Sequence, residues 1–251
     1  MSEKKTVFLS HIAEEKELAI LFKNLIEDHF LGLIDVFVSS DERNIGLGQK
    51  WLDDITNSLK QCVAEVILCS PVSIKRPWIN FEAGAGWIRD IPVIPLCHSG
   101  VDPSSLPLPL SLLQAAKASE VSSLKLVFPV LANALGSRTP TVDFTAFIQE
   151  AASFEARYTF WNQCNSGLAF IKQHYKDIWS TLEAGKTVSL DLTEVQIAEL
   201  EKATTFLQTN NILNVRRVGR STVSETGVFS GCDIVPMPRL TSILNNPECK
   251  I

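Results

Sequence analysis

Apolar and polar positions in the first hundred residues switch repeatedly between short continuous runs and helical stripes. Residues 6–10 form an apolar run ending in polar side chains. Leu18, Leu21, Phe22, Leu25 and Ile26 then recur at the spacing of one helix face. A second run, residues 34–38, leads into a polar, glycine-containing stretch, residues 39–49, followed by a stripe of Trp51, Leu52, Ile55 and Leu59. Residues 63–69 and 91–97 are further runs of strand length. Strands that are apolar throughout, rather than alternating, are buried on both faces. The pattern therefore predicts a parallel sheet covered by helices on each side. Ligands of such sheets sit beyond the carboxyl ends of the strands. Those ends carry Ser10 and His11, residues 39–43, residues 70–73 and residues 97–100.

The pattern changes after the proline-rich residues 102–110. Residues 122–135 are weakly amphipathic and suit packing back on the sheet, and residues 136–140 read as a linker. Phe144, Phe147, Ala151, Phe154, Tyr158 and Trp161 form an aromatic stripe. Leu168, Ile171, Tyr175, Ile178 and Leu182 form a second, with a break expected at residues 165–167 and a stop at Gly185. Two antiparallel helices of this kind need a partner surface, either the sheet domain or another subunit. Further on, Thr193 and Gln196 make a capping-box start for a helix carrying Ile197, Leu200, Thr204 and Leu207. Two strand-like runs follow, residues 212–218 and 222–229, joined through Gly219 and Arg220. Helix then hairpin is winged-helix-like. Arg216, Arg217 and Arg220 are then either a wing touching phosphates or edge charges that keep a hairpin from aggregating.

Composition narrows the partners. With 23 Lys and Arg against 28 Asp and Glu, the net charge is -5, which argues against general electrostatic binding of nucleic acid. No apolar run reaches the roughly 18 residues of a membrane span, and the charged start leads into no signal peptide. A cytoplasmic location is the expectation. The six cysteines (62, 69, 97, 164, 232, 249) include no Cys-x-x-Cys pair, and the four histidines show no ligand spacing. Reduced thiols and no metal are expected.

The most distinctive stretch is residues 77–86, Pro-Trp-Ile-Asn-Phe-Glu-Ala-Gly-Ala-Gly. Trp78 and Glu82 are four apart, so on a helix the indole and the carboxylate share a face, one turn from each other. Ala83, Gly84, Ala85 and Gly86 follow the acid and leave room beside it. A carboxylate against an aromatic wall, with space for a ligand, suits a pocket that binds or cleaves a sugar. The plainer alternatives are a helix-surface acid paired with Arg89 and a tryptophan packed between helix and sheet.

Several segments together resemble one family. Phe8-Leu9-Ser10-His11, then Val36-Phe37-Val38-Ser39-Ser40, then Asp41-Glu42-Arg43-Asn44-Ile45-Gly46-Leu47-Gly48 before Trp51 are similar to the opening of a Toll/interleukin-1 receptor (TIR) domain. Residues 73–82 resemble the segment that holds the catalytic glutamate of enzymatic TIR domains, and residues 92–96 their fourth strand. The resemblance covers about residues 4–136, and the subtype looks bacterial, as a short effector without receptor or leucine-rich repeats. It implies an α/β, flavodoxin-like TIR domain over residues 1–136, with a central parallel sheet. A helical hairpin for packing or oligomerisation is expected over residues 141–186, then a small α+β, winged-helix-like unit over residues 187–251.

The activity implied by the resemblance is cleavage of the nicotinamide–ribose bond of NAD+, giving nicotinamide and ADP-ribose or a cyclic isomer. The implied context is antiviral defence or signalling, with activation by homo-oligomerisation through TIR–TIR contacts. NAD+ is then a substrate, and no cofactor, membrane or nucleic acid is implied. Glu82 takes the catalytic position, and Phe8, Ser10, His11, Ser40, Asp41, Arg43, Trp51 and Trp78 take substrate-binding positions. His11 is alternatively a strand-end cap, and Ser40, Asp41 and Arg43 alternatively belong to a structural loop. Gly46 and Gly48 are not a dinucleotide fingerprint, because no Gly-x-Gly-x-x-Gly turn opens a helix after the first strand. The chemistry agrees with a single acid. Nicotinamide is cationic in NAD+ and leaves neutral, so one carboxylate suffices to stabilise an oxocarbenium-like ribose. The rival is a non-enzymatic TIR scaffold that recruits partners through the same loop.

Overall fold

The computed structural model describes residues 4–39, 50–224 and 227–251, without the side chains of residues 50–54 and 224. Contacts group the chain into two compact units, residues 1–158 and 159–251. The first contains β1 (Lys5–Ser10), α1 (Lys16–His29), β2 (Ile34–Val38), α2 (Lys50–Gln61), β3 (Ala64–Cys69), α3 (Pro77–Ile88), β4 (Val93–Cys97), β5 (Ala116–Lys117), α4 (Val121–Leu135) and the start of α5 (Thr145–His174). Its five strands are all parallel, in the order β2-β1-β3-β4-β5. Successive strands are laid to one side of β1 and then to the other. The switch point of the sheet therefore lies at the carboxyl ends of β1 and β3.

Alternation along the strands sorts the side chains between two helical layers. Val7 and Leu9 of β1, with Val66 and Leu68 of β3, share a core with Leu18, Phe22 and Ile26 of α1 and Leu124, Phe128 and Leu131 of α4. Residues of the other parity meet α2 and α3: Phe8 packs with Ile55 and Leu59, and Ile67 and Cys69 pack with Ile79 and Ala83. All six positions of β3 are buried, its one acid Glu65 included. Phe144, Phe147, Phe154 and Tyr158 belong to the α1–α4 core. The partner surface that this stripe needs is thus the helical layer of the sheet, where each buried ring contributes about 1.5–3 kcal/mol. α4 ends where Gly136 adopts φ 71°, a left-handed cap open to glycine.

The second unit holds the rest of α5, then α6 (Lys176–Glu183), β6 (Val188–Leu192), α7 (Glu194–Thr209), β7 (Leu213–Ser224), β8 (Gly227–Pro236) and α8 (Arg239–Leu244). Its antiparallel sheet has the order β6-β8-β7, and its own core includes Leu168, Ile171, Ile197, Leu200, Leu207 and Ile234. The Thr193–Gln196 capping box opens α7. Two expectations change here. α5 runs unbroken through residues 165–167. A Cβ on Gly167 would lie 2.9 Å from Leu207 Cδ1, so this glycine marks a close helix crossing rather than a break. Nor do Gly219 and Arg220 form a turn. β7 passes through them as one strand, with a bulge between Val218 and Ser221.

The three hairpin arginines meet carboxylates of the same unit. Arg216 pairs with Asp233, Arg217 with Glu194 and Glu201, and Arg220 with Asp191. No helix among the described residues is long and apolar enough to cross a membrane.

Candidate active site

Strand parity sends Ser10, the last residue of β1, to the same side as Phe8, toward α2 and α3. Pro77 opens α3, where its fixed φ suits a first helical position. Trp78, Glu82 and Gly86 then follow at four-residue intervals along one face. Ser10 Oγ donates to Glu82 Oε2 at 2.5 Å, and Trp78 Nε1 donates to Glu82 Oε1 at 2.7 Å. Each carboxylate oxygen thus takes a donor, and Glu82 is fully buried. The Trp78 ring stacks on Phe81 with 5.0 Å between centroids and packs against the Phe8 cluster. Phe8 itself is fully buried and stacks on Phe37.

Arg89, at the C-terminal end of α3, donates to the Leu59 carbonyl and, at 3.2 Å, to Cys62 Sγ. It ties the end of α3 to the end of α2. The room expected beside the acid is open at one glycine and filled at the other. Nothing lies within 4 Å of a Cβ built on Gly84. At Gly86 a Cβ would come 2.2 Å from Glu65 Oε2 and 2.6 Å from Val93 Cγ2. The missing side chain therefore makes way for a second acid. Glu65 is fully buried, and neither of its oxygens has a hydrogen-bond partner among the described residues. Burial, and after it the charge of Glu82, pushes this carboxyl well above the usual carboxylate range, with Arg89 opposing. Sequence reasoning passed over Glu65. Its signal was a lone acid inside an otherwise apolar run.

Polar groups also collect at the carboxyl edge on the α1 side of the sheet. His98 Nε2 lies 3.2 Å from Glu15 Oε1, close enough for an ion pair but not aligned as a hydrogen bond. Tyr158 of α5 donates to Glu15 Oε1 at 3.4 Å and shares a 2.9 Å hydrogen bond with Ser70 Oγ. Ser70 and Ser73 bond to each other and hold the turn that leads toward α3. His11 is buried, and neither ring nitrogen has a hydrogen-bond partner among the described residues. Burial holds it down to about 4, against the pull of Glu15 and with a small push from Lys16, so the ring is neutral at pH 7.

Of the residues singled out from sequence, Phe8, Ser10, Trp78 and Glu82 come together on the α2–α3 side. His11 follows Ser10 but stands under the influence of Glu15 and Lys16. Ser40, Asp41, Arg43 and the side chain of Trp51 lie outside the described residues. A cavity of about 380 Å³ lies elsewhere, against β4, β5 and α4, lined by Ile94, Leu126, Val127 and Val130 with Gln114 and Ser123. It offers no charged side chain to a phosphate.

A five-stranded parallel sheet in this order, with a polar cluster at its switch point, defines the flavodoxin-like α/β class. The family model for the TIR domain matches residues 7–127, and this part of the chain is similar to a TIR domain. No curated protein matches the chain. Among solved structures, the TIR domains of the activated Roq1 resistosome directly recognizing the pathogen effector XopQ are 15% identical, with 62% of this chain and 82% of that one covered and a TM-score of 0.30. A metazoan TIR-STING receptor from C. gigas in complex with 2′,3′-cGAMP is 11% identical, with 96% and 77% covered and a TM-score of 0.36.

Proposed function

We propose that the TIR domain cleaves the nicotinamide–ribose bond of NAD+, with Glu82 as the catalytic carboxylate. The observation that supports this is the Ser10–Glu82–Trp78 arrangement, a buried carboxylate with a donor on each oxygen beside the switch point of the sheet. As the bond breaks, nicotinamide takes the electron pair and leaves neutral, and positive charge passes to the ribose. A fixed carboxylate in a water-poor site stabilises that charge without reorganising. Water then captures the ribosyl centre to give ADP-ribose, or the adenine end does so to give a cyclic isomer. Phe8, His11, Ser40, Asp41, Arg43 and Trp51 complete the substrate contacts in this scheme. Because Glu82 is fully buried, substrate reaches it only when the covering groups move. That fits activation by self-assembly in a cytoplasmic bacterial effector of antiviral defence or signalling.

The test is nicotinamide release from NAD+ by pure protein over a range of concentrations, with and without crowding agent. Wild type is expected to turn over faster per protomer as concentration rises. Glu82→Ala and Glu82→Gln should lose at least about 100-fold. The burial of Glu82 favours one second reading, a TIR scaffold in which Ser10 and Trp78 simply satisfy a structural acid. No nicotinamide from wild type under any assembly condition selects the scaffold.

A further inference from the structure

Glu65 costs stability where it sits, and no hydrogen bond from the described residues offsets the cost. Both of its oxygens are buried and without a hydrogen-bond partner among the described residues, and one lies at Gly86 in the space a side chain would fill. Gly86 is one helical turn, about 6 Å along the axis, beyond Glu82, so Glu65 meets the same face of α3 that carries Glu82. Their surroundings differ in kind. Glu82 has a donor on each oxygen and Glu65 has none. Only one of the pair is equipped to be an anion. Among the described residues, the charged or titratable groups acting on Glu65 are Glu82 and Arg89 on the α3 side and Cys62 after α2. From β1 and β4 it meets Phe8 and Val93, which are apolar. Arg89 directs its donors to Leu59 and Cys62.

We propose that Glu65 is a positioning residue for the reaction proposed above: a neutral carboxyl wedged under Gly86 seats α3 and leaves Glu82 as the anion, and its ionisation lifts α3 away so that alkaline pH shuts the site. An ionised Glu65 would be a buried charge without a donor, facing a second negative charge one turn away. Its relief is water, and water reaches it only if Gly86 separates from β3. Trp78 and Glu82 move with the helix, and the Ser10 contact is lost. The catalytic half of the proposal rests on the NAD+ reading, whereas the neutral state of Glu65 does not.

The sign follows from proton linkage. Glu65 holds its proton longer in the folded chain than in the unfolded one. Its contribution to stability is therefore full below about pH 4.5 and is lost as pH rises toward the raised folded-state value. Glu65→Gln keeps the shape of the neutral acid and cannot ionise. Thermal midpoints of wild type and Glu65→Gln, measured together from about pH 5 to 9, should diverge as pH rises, with the variant the more stable. Nicotinamide release should agree within about 3-fold at pH 6, after which wild type falls on the alkaline side and the variant does not. A merely structural glutamate would leave that alkaline limb where it was. A midpoint gap that stays constant with pH overturns the proposal, as does a loss above about 10-fold in the variant at neutral pH. Glu65→Leu, read the same way, serves if the glutamine variant does not fold. If wild type releases no nicotinamide at any concentration, the catalytic reading fails by itself, and the midpoint series still decides the charge of Glu65.

Discussion

Ser10→Ala removes a single hydroxyl from the centre of the candidate site. Ser10 is fully buried, and its Oγ stands 2.5 Å from Glu82 Oε2. Alanine leaves that oxygen one donor short, in a gap at the lower limit of what holds a water. A hydrogen bond to a charged acceptor is worth about 1.5–3 kcal/mol, which corresponds to roughly 10- to 150-fold in an opening equilibrium. Hydrogen exchange of the β1 and β3 amides reads this for the first unit alone, without assuming that the whole chain unfolds in one step. The charge of the acceptor is tested by repeating Ser10→Ala in a Glu82→Gln background. There the bond is between neutral groups, and the cost should shrink to about 0.5–1.5 kcal/mol. A cost below about 0.5 kcal/mol with Glu82 present would mean that the bond contributes nothing. Equal costs in the two backgrounds would mean that Glu82 is not an anion, and the electrostatic mechanism would go with it.

Two further outcomes follow from burial and packing. His11, held down to about 4 chiefly by burial, binds fewer protons when folded than when unfolded between pH 6.5 and that value. Stability is therefore full above pH 6.5 and falls by about 3 kcal/mol as pH drops through the window. His11→Leu should flatten the acid limb of the urea midpoint, and an unchanged limb would assign the loss to other groups. Gly84→Ala and Gly167→Ala should move in opposite directions. The first meets nothing within 4 Å and gains about 0.5–1 kcal/mol of helix propensity. The second drives a methyl toward Leu207 and the Ala203 carbonyl, with an overpacking cost of about 1–3 kcal/mol that outweighs the same gain. Thermal midpoints shifting in the same direction would refute the close crossing of α5 and α7.

The spacing of apolar residues was enough to predict the parallel sheet and its helices, because a strand buried on both faces is apolar at nearly every position. The same one-dimensional rule placed Trp78 and Glu82 on a common helix face and Ser10 at a strand end. It misread residues 165–167 and Gly219–Arg220, where small or polar residues look locally like breakers. At Gly167 a neighbouring helix needs the space, and at Gly219 a partner strand absorbs the irregularity as a bulge. Neither neighbour is near in the chain. Glu65 stands out in the sequence as an acid in an apolar run, but spacing cannot say that its carboxyl settles on Gly86. The sequence by itself determined which apolar residues share a face of each element, because the periods of helix and strand are local. Which buried groups touch was decided only when β1, β3 and α3 packed together, because a hydrogen bond or a clash depends on distances that chain order does not contain.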